Sequence, residues 1–252
     1  MNATAKTDPW IRCAKPNPAA RLRLFCLPYA GGGASLFRDW GQTLPDSVEV
    51  CAIQLPGRED RIAETPFRQV EDLLPVLLEK LRPYLDRPIA FFGHSMGAFL
   101  SYELARALTE EHRGPAHLIV SGQRAPHLPL SRPPSYHLSD SAFCDRLRSL
   151  NGTPASVLQE PELLTMILPL LRSDFEMSET YLRTSRNQLE CPISVLGGEE
   201  DDEVDPAGLE AWREATVGPV SVRMFPGDHF FLQSQKDALL TLTEQTLRPH
   251  LH

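Results

Sequence analysis

Ile89-Ala-Phe-Phe-Gly-His-Ser-Met-Gly-Ala98 decides the architecture. The apolar run 89–92 reads as a buried strand, and 99–108, Phe-Leu-Ser-Tyr-Glu-Leu-Ala-Arg-Ala-Leu, reads as a helix. Between them Gly93-His-Ser-Met-Gly97 fits G-x-S-x-G. A serine in a strand–turn–helix of this kind sits on a sharp, strained turn that lifts its hydroxyl clear of the sheet. Glycines on either side carry no Cβ, so strand and helix can approach closely. The same turn aims the amide of Met96 at the place a reacting carbonyl would occupy.

On the N-terminal side, residues 21–27 form a good strand, followed at once by Pro28-Tyr-Ala-Gly-Gly-Gly-Ala34. No Gly-Lys-Ser/Thr follows, so this is not a phosphate loop, and its spacing is not G-x-G-x-x-G. Residues 35–44 look helical, with Ser35 as a candidate cap. A strand at 48–53, a Pro-Gly turn in Gln54-Leu-Pro-Gly-Arg-Glu-Asp60 and a helical pattern over 70–85 come next. Another buried strand occupies 116–121. Strands alternate with helices throughout, which predicts a largely parallel sheet covered on both faces.

The alternation breaks between residues 124 and 189, where helical stretches appear without a convincing strand. Leu163-Leu-Thr-Met-Ile-Leu-Pro-Leu-Leu171 is apolar nearly all round, a pattern that predicts burial. Such a segment either packs onto the domain or forms a lid over an apolar chamber above Ser95. Alternation then resumes with strands at 192–198 and 219–225 and helices at 206–215 and 233–247. The expected fold is α/β, of the α/β-hydrolase type: a mostly parallel central sheet flanked by helices, with a helical lid insertion. The expected organisation is one domain over 1–252, its core at about 21–125 and 190–252 and its lid at about 126–189. Residues 1–20, polar and Pro-rich, read as a loosely attached arm.

Composition narrows the class. With 42% hydrophobic and 23% charged residues, the 252-residue chain can bury a sizeable core. No apolar run approaches the ~20 residues that span a bilayer. The first residues lack the apolar region of a secretory signal, so a cytoplasmic protein is expected. Five cysteines without a C-x-x-C fit free thiols in a reducing compartment, with Cys26 and Cys51 in core strands. A net charge of −8 argues against general nucleic-acid binding.

A serine hydroxyl needs a base to take its proton, and the base needs a carboxylate to orient it. In this fold they follow the serine in the order acid, then histidine. Of the eight histidines, His94 is inside the motif, His112, His117, His127 and His137 come too early, and His250 and His252 lie in the tail. His229, in the loop after a late strand, is the candidate base. The run Gly197-Gly-Glu-Glu-Asp-Asp-Glu-Val-Asp205 offers Asp201 first, with Asp202 and Asp205 as alternatives.

Several segments together are similar to the type II thioesterases, the free-standing editing enzymes of polyketide and nonribosomal peptide synthesis. They are LFCLPYAGGGAS (24–35), QLPGRE (54–59), FFGHSMGA (91–98), PISVLGGEED (192–201), Leu209-Glu-Ala-Trp212 and FPGDHFFL (225–232). The resemblance implies Ser95 as nucleophile, His229 as base and Asp201, rather than Asp202, as acid. It implies an oxyanion hole from the backbone N–H groups of Ala30 and Met96, and a helical lid. It also implies an acyl or peptidyl carrier protein as partner and no metal or redox cofactor. The rivals are a carboxylesterase or lipase on small esters and an acyltransferase of the same fold. Carrier proteins are acidic, so a −8 chain needs a local basic patch. Arg58, Arg61 and Arg124, in loops leaving strand ends, are the expected candidates.

Overall fold

Six strands point the same way because each crossover carries a helix back to the sheet's starting edge. The computed structural model describes residues 8–183 and 187–251. Its strands are β1 (Ile11–Arg12), β2 (Leu22–Leu27), β3 (Val48–Ile53), β4 (Ile89–His94), β5 (His117–Ser121), β6 (Ile193–Gly198) and β7 (Val220–Phe225). They form one sheet in the order β1-β3-β2-β4-β5-β6-β7. All pairs are parallel except β1 with β3. The helices are α1 (Trp40–Thr43), α2 (Val70–Leu81), α3 (Met96–Glu110), α4 (Asp140–Leu150), α5 (Ala155–Gln159), α6 (Pro161–Thr180), α7 (Pro206–Glu210), α8 (Phe231–Ser234) and α9 (Lys236–Leu247).

Strands β2 to β6 are buried at every position, as a sheet covered on both faces requires. Alternate residues serve opposite faces. Phe25, Phe91 and Val195 pack with Leu73 and Leu77 of α2 and Leu104 of α3. Leu24, Cys26 and Phe92 pack with Trp40 of α1 and Leu239 and Leu240 of α9. This sandwich fixes the carboxyl ends of β2, β4, β5, β6 and β7 in one row, where an open parallel sheet offers its crevice.

Four expectations change. The N-terminal arm is tied down from residue 8 on: Ile11 pairs with Ile53, and Trp10 is buried. That pairing brings Cys13 and Cys51 to a Cα–Cα separation of 4.3 Å, and they form a disulfide. The free cysteines are Cys26, Cys144 and Cys191. Ser35 is no cap: a 3₁₀ turn over Ala34–Phe37 starts one residue earlier, and Ser35 N–H donates to Glu59. Finally, the apolar stretch of α6 is only half buried. Leu163 and Met166 are 42% and 58% exposed, whereas Leu170 and Leu171 are buried.

The reason lies in what each half of α6 touches. Its first half packs with Phe143, Leu147 and Leu158 of α4 and α5, a small cluster apart from the main core. Its second half touches both: Leu171 and Phe175 join that small cluster, and Met177 joins the core. Just beyond, Tyr181 stacks on Phe99 at 4.6 Å and donates to Glu103 at 2.7 Å. Among the described residues no helix is long and apolar enough to cross a membrane.

Candidate active site

Ser95 sits between β4 and α3 with φ 52° and ψ −117°, a conformation that costs a non-glycine residue energy. The elbow is held by close approach on both sides. A Cβ on Gly93 would fall 2.0 Å from the carbonyl oxygen of Gly97, and one on Gly97 would fall 2.2 Å from that of Leu27. Ser95 N–H donates to Ser121 O at 2.8 Å, which locks the turn onto β5. Met96 is the first residue of α3, so its N–H is one of the helix's unpaired leading donors. Ala30 lies in the loop after β2. Neither Ala30 N–H nor Met96 N–H has a backbone or side-chain acceptor among the described residues.

His229 lies between β7 and α8, and Asp201 follows β6. His229 Nδ1 meets Asp201 Oδ2 at 2.8 Å, and the Asp201 side chain is only 1% exposed. An ionised carboxylate can only accept, so Nδ1 carries the proton and Nε2 is left as the acceptor. The second oxygen of Asp201 accepts Glu203 N–H at 2.8 Å, which fixes the carboxylate plane. The alternatives are engaged or exposed. Asp205 caps α7 through Gly208 N–H at 2.6 Å. Asp202 is exposed, and its carbonyl takes Arg132 Nη2 at 2.9 Å.

His94 packs behind this pair. It is fully buried, its ring 5.2 Å from that of His229, with Nδ1 2.8 Å from Ser121 Oγ. Burial, with His229 alongside, pushes its pKa well below the ordinary histidine value, so it stays neutral. Ser95, His229 and Ala30 share the wall of one cavity of about 750 Å³, counting its open mouth.

Residues 22–247 match the thioesterase domain family. The chain belongs to the thioesterase family. It is 45% identical to the gramicidin S biosynthesis protein GrsT of Aneurinibacillus migulanus, over 98% of this chain and 97% of that one. The type II thioesterase BorB of the borrelidin biosynthetic cluster superposes with a TM-score of 0.87 at 38% identity, covering 97% of this chain and 98% of that one. YbtT, a type II thioesterase of the yersiniabactin pathway, gives 0.85 at 31% identity over 96% and 99%. The fold is that of an α/β-hydrolase, and the activity is thioester hydrolysis of the type II class.

The thioesterase's cavity is less apolar than the sequence led us to expect. Leu130, Leu150, Phe175 and Phe230 share its wall with charged groups. Arg132 and Arg146 both pair with Glu203, with Arg132 at 2.7 Å and Arg146 at 2.5 Å. Arg124 is half-buried there and donates to Leu128 O and Pro129 O at 3.1 Å, its charge facing no carboxylate within 4.0 Å among the described residues. Of these, Leu130, Arg132, Arg146, Leu150 and Phe175 carry no sequence signature, because the insertion that supplies them has no motif.

Arg58 and Arg61 do not form a docking face. They are 3% and 5% exposed. Arg61 stacks over the Trp10 ring at 4.0 Å and pairs with Glu64, while Arg58 faces Asp174 of α6. A guanidinium in a loop at a strand end can satisfy buried carbonyls and carboxylates as readily as it can meet a partner.

Proposed function

We propose that this thioesterase releases acyl groups from the phosphopantetheine arm of acyl or peptidyl carrier proteins, clearing stalled or aberrant chains from a polyketide or nonribosomal peptide assembly line. Relatives named for gramicidin S, borrelidin and yersiniabactin biosynthesis support the setting. Ser95 is the nucleophile, His229 the base and Asp201 the orienting acid. Nε2 takes the hydroxyl proton as Oγ attacks the thioester carbon. The oxyanion is held by the N–H groups of Ala30 and Met96. Collapse expels the thiolate, which takes a proton from the imidazolium. Water then attacks the acyl-Ser95 ester, giving its proton to His229; collapse breaks the bond to Oγ, which takes that proton from the imidazolium, and the acid leaves.

The observation that carries this reading is the 2.8 Å contact between His229 and the buried side chain of Asp201, with His229 on the same cavity as a strained Ser95. The segment at about 126–189 acts as the lid over that cavity, and α6 supplies its inner wall through Phe175, Ser178 and Glu179. The test compares hydrolysis of acyl-carrier thioesters with that of small oxygen esters, with and without an amine or alcohol acceptor. Preference for the thioester with water as acceptor is expected, and Ser95→Ala should be inactive yet folded. Faster turnover of oxygen esters, or an active Ser95→Ala, would overturn the proposal.

A further inference from the structure

Asp174, in the second half of α6, is 1% exposed and carries three hydrogen bonds. Its Oδ1 accepts Arg58 Nη2 and its Oδ2 accepts Arg58 Nη1, both at 2.9 Å. The same Oδ2 accepts Gly31 N–H at 2.7 Å. Arg58 in turn donates to Gly32 O and Pro56 O, each at 3.2 Å. One carboxylate therefore ties three segments together: the loop after β2, the loop after β3 and the helix of the insertion. Gly31 has φ +79°, and a Cβ there would fall 2.6 Å from Leu171, so the loop is pressed under α6.

Stability alone is a poor reason for this pair. A buried ion pair loses nearly as much to desolvation as it gains, and apolar replacements of similar size are often neutral or better. What the pair does fix is direction. The Gly31 N–H bond orients the Ala30–Gly31 peptide and so limits how the Ala30 N–H, one residue earlier, can point. We infer that Arg58 and Asp174 are positioning residues that hold the Ala30 amide in its oxyanion-binding orientation, so that the site is complete only while α6 is seated on the loop. This rests on the reading of Ala30 as an oxyanion donor.

The test uses the full chain and a small acyl-pantetheine thioester. The double variant Arg58→Met/Asp174→Leu removes both charges and keeps an apolar fill, so its unfolding midpoint should be unchanged or higher. Its kcat should fall roughly 10- to 100-fold, part of the loss seen when an oxyanion donor is removed outright. KM should stay within about threefold, and binding of a trifluoromethyl ketone analogue, which forms a tetrahedral adduct, should weaken by the same factor as kcat. The pH profile should not move, because His229 and Asp201 are untouched. A folded double variant with wild-type kcat overturns the inference, as does a kcat loss without a matching loss of ketone affinity. If that variant does not fold, Arg58→Lys keeps the charge but loses the fork. It should lower kcat less, and an unchanged kcat overturns the inference equally. Ala30→Pro removes that N–H itself, and a wild-type kcat there would sink the reading of Ala30 as a donor, whereas an impaired Ala30→Pro beside a wild-type double variant sinks only the positioning role, so the two failures are separable.

Discussion

Asp201 and His229 meet across two loops, one leaving β6 and one leaving β7, with Oδ2 and Nδ1 at 2.8 Å. Neighbouring parallel strands make this possible: Gly198 is in register with Phe225, so the residues that follow them emerge side by side. Gly198 is pressed against that second loop, since a Cβ there would fall 2.5 Å from Asp228 O.

Asp201→Asn should therefore lower kcat by roughly 10²-fold or more, since an amide cannot hold the same imidazole tautomer. Asp202→Asn should leave it nearly unchanged, because that side chain is exposed. Steady-state kinetics on both variants decides the matter; equal losses would mean that the acidic run acts collectively.

The insertion should exchange hydrogen in two parts. Residues 139–168 pack on a small separate cluster and expose Leu163 and Met166. Residues 170–181 are held by the Asp174–Arg58 pair, by Glu179 accepting Ser135 and Tyr136 N–H at 2.7 and 2.9 Å, and by Tyr181 on Phe99. Few buried contacts mean easy local opening. Mass-resolved exchange should find the first part fast and the second as slow as the sheet. Equal protection throughout would argue for a fixed cap.

That division was not legible in the sequence. The parallel sheet, the elbow and the place of His229 on the cavity wall were, because each rests on local pattern: alternation, glycine spacing and chain order. Asp201 needed the resemblance, since six acidic residues crowd the stretch 199–205 and only tertiary packing sets one of them against His229. Arg58 was misread for a related reason. Its partner, Asp174, lies 116 residues away in a segment without a motif, so nothing nearby marks it as buried. Cys13 was misread because a two-residue strand leaves no periodicity to detect.

The unfolded protein without reductant should titrate three thiols, and five after reduction. Cys13→Ser should release the edge strand β1 and lower stability by up to about 4 kcal/mol, the loop-closure value for a 38-residue separation. Thiol titration and urea unfolding check the two claims. Five thiols before reduction would show the pair reduced.

Acid should destabilise the protein through His117. This residue opens β5, is 7% exposed, and has Nε2 3.0 Å from Ser194 Oγ and Nδ1 3.3 Å from His250 Nε2. Burial, with His250 nearby, lowers its pKa from 6.5 to about 4. In the unfolded chain it regains the ordinary value, so between pH 6.5 and about 4 the unfolded state binds more protons than the native one. Stability then rises with pH across that window, is complete above it, and loses nothing further from this group below it. The gap corresponds to about 3 kcal/mol at most. Glutamine at this position can keep a hydrogen bond to Ser194 but does not titrate. Urea midpoints measured from pH 7.5 down to 4 should therefore fall less steeply for His117→Gln than for the natural protein. Parallel curves would mean that other groups carry the acid sensitivity, His94 first among them, since its buried ring is held neutral in the same sense.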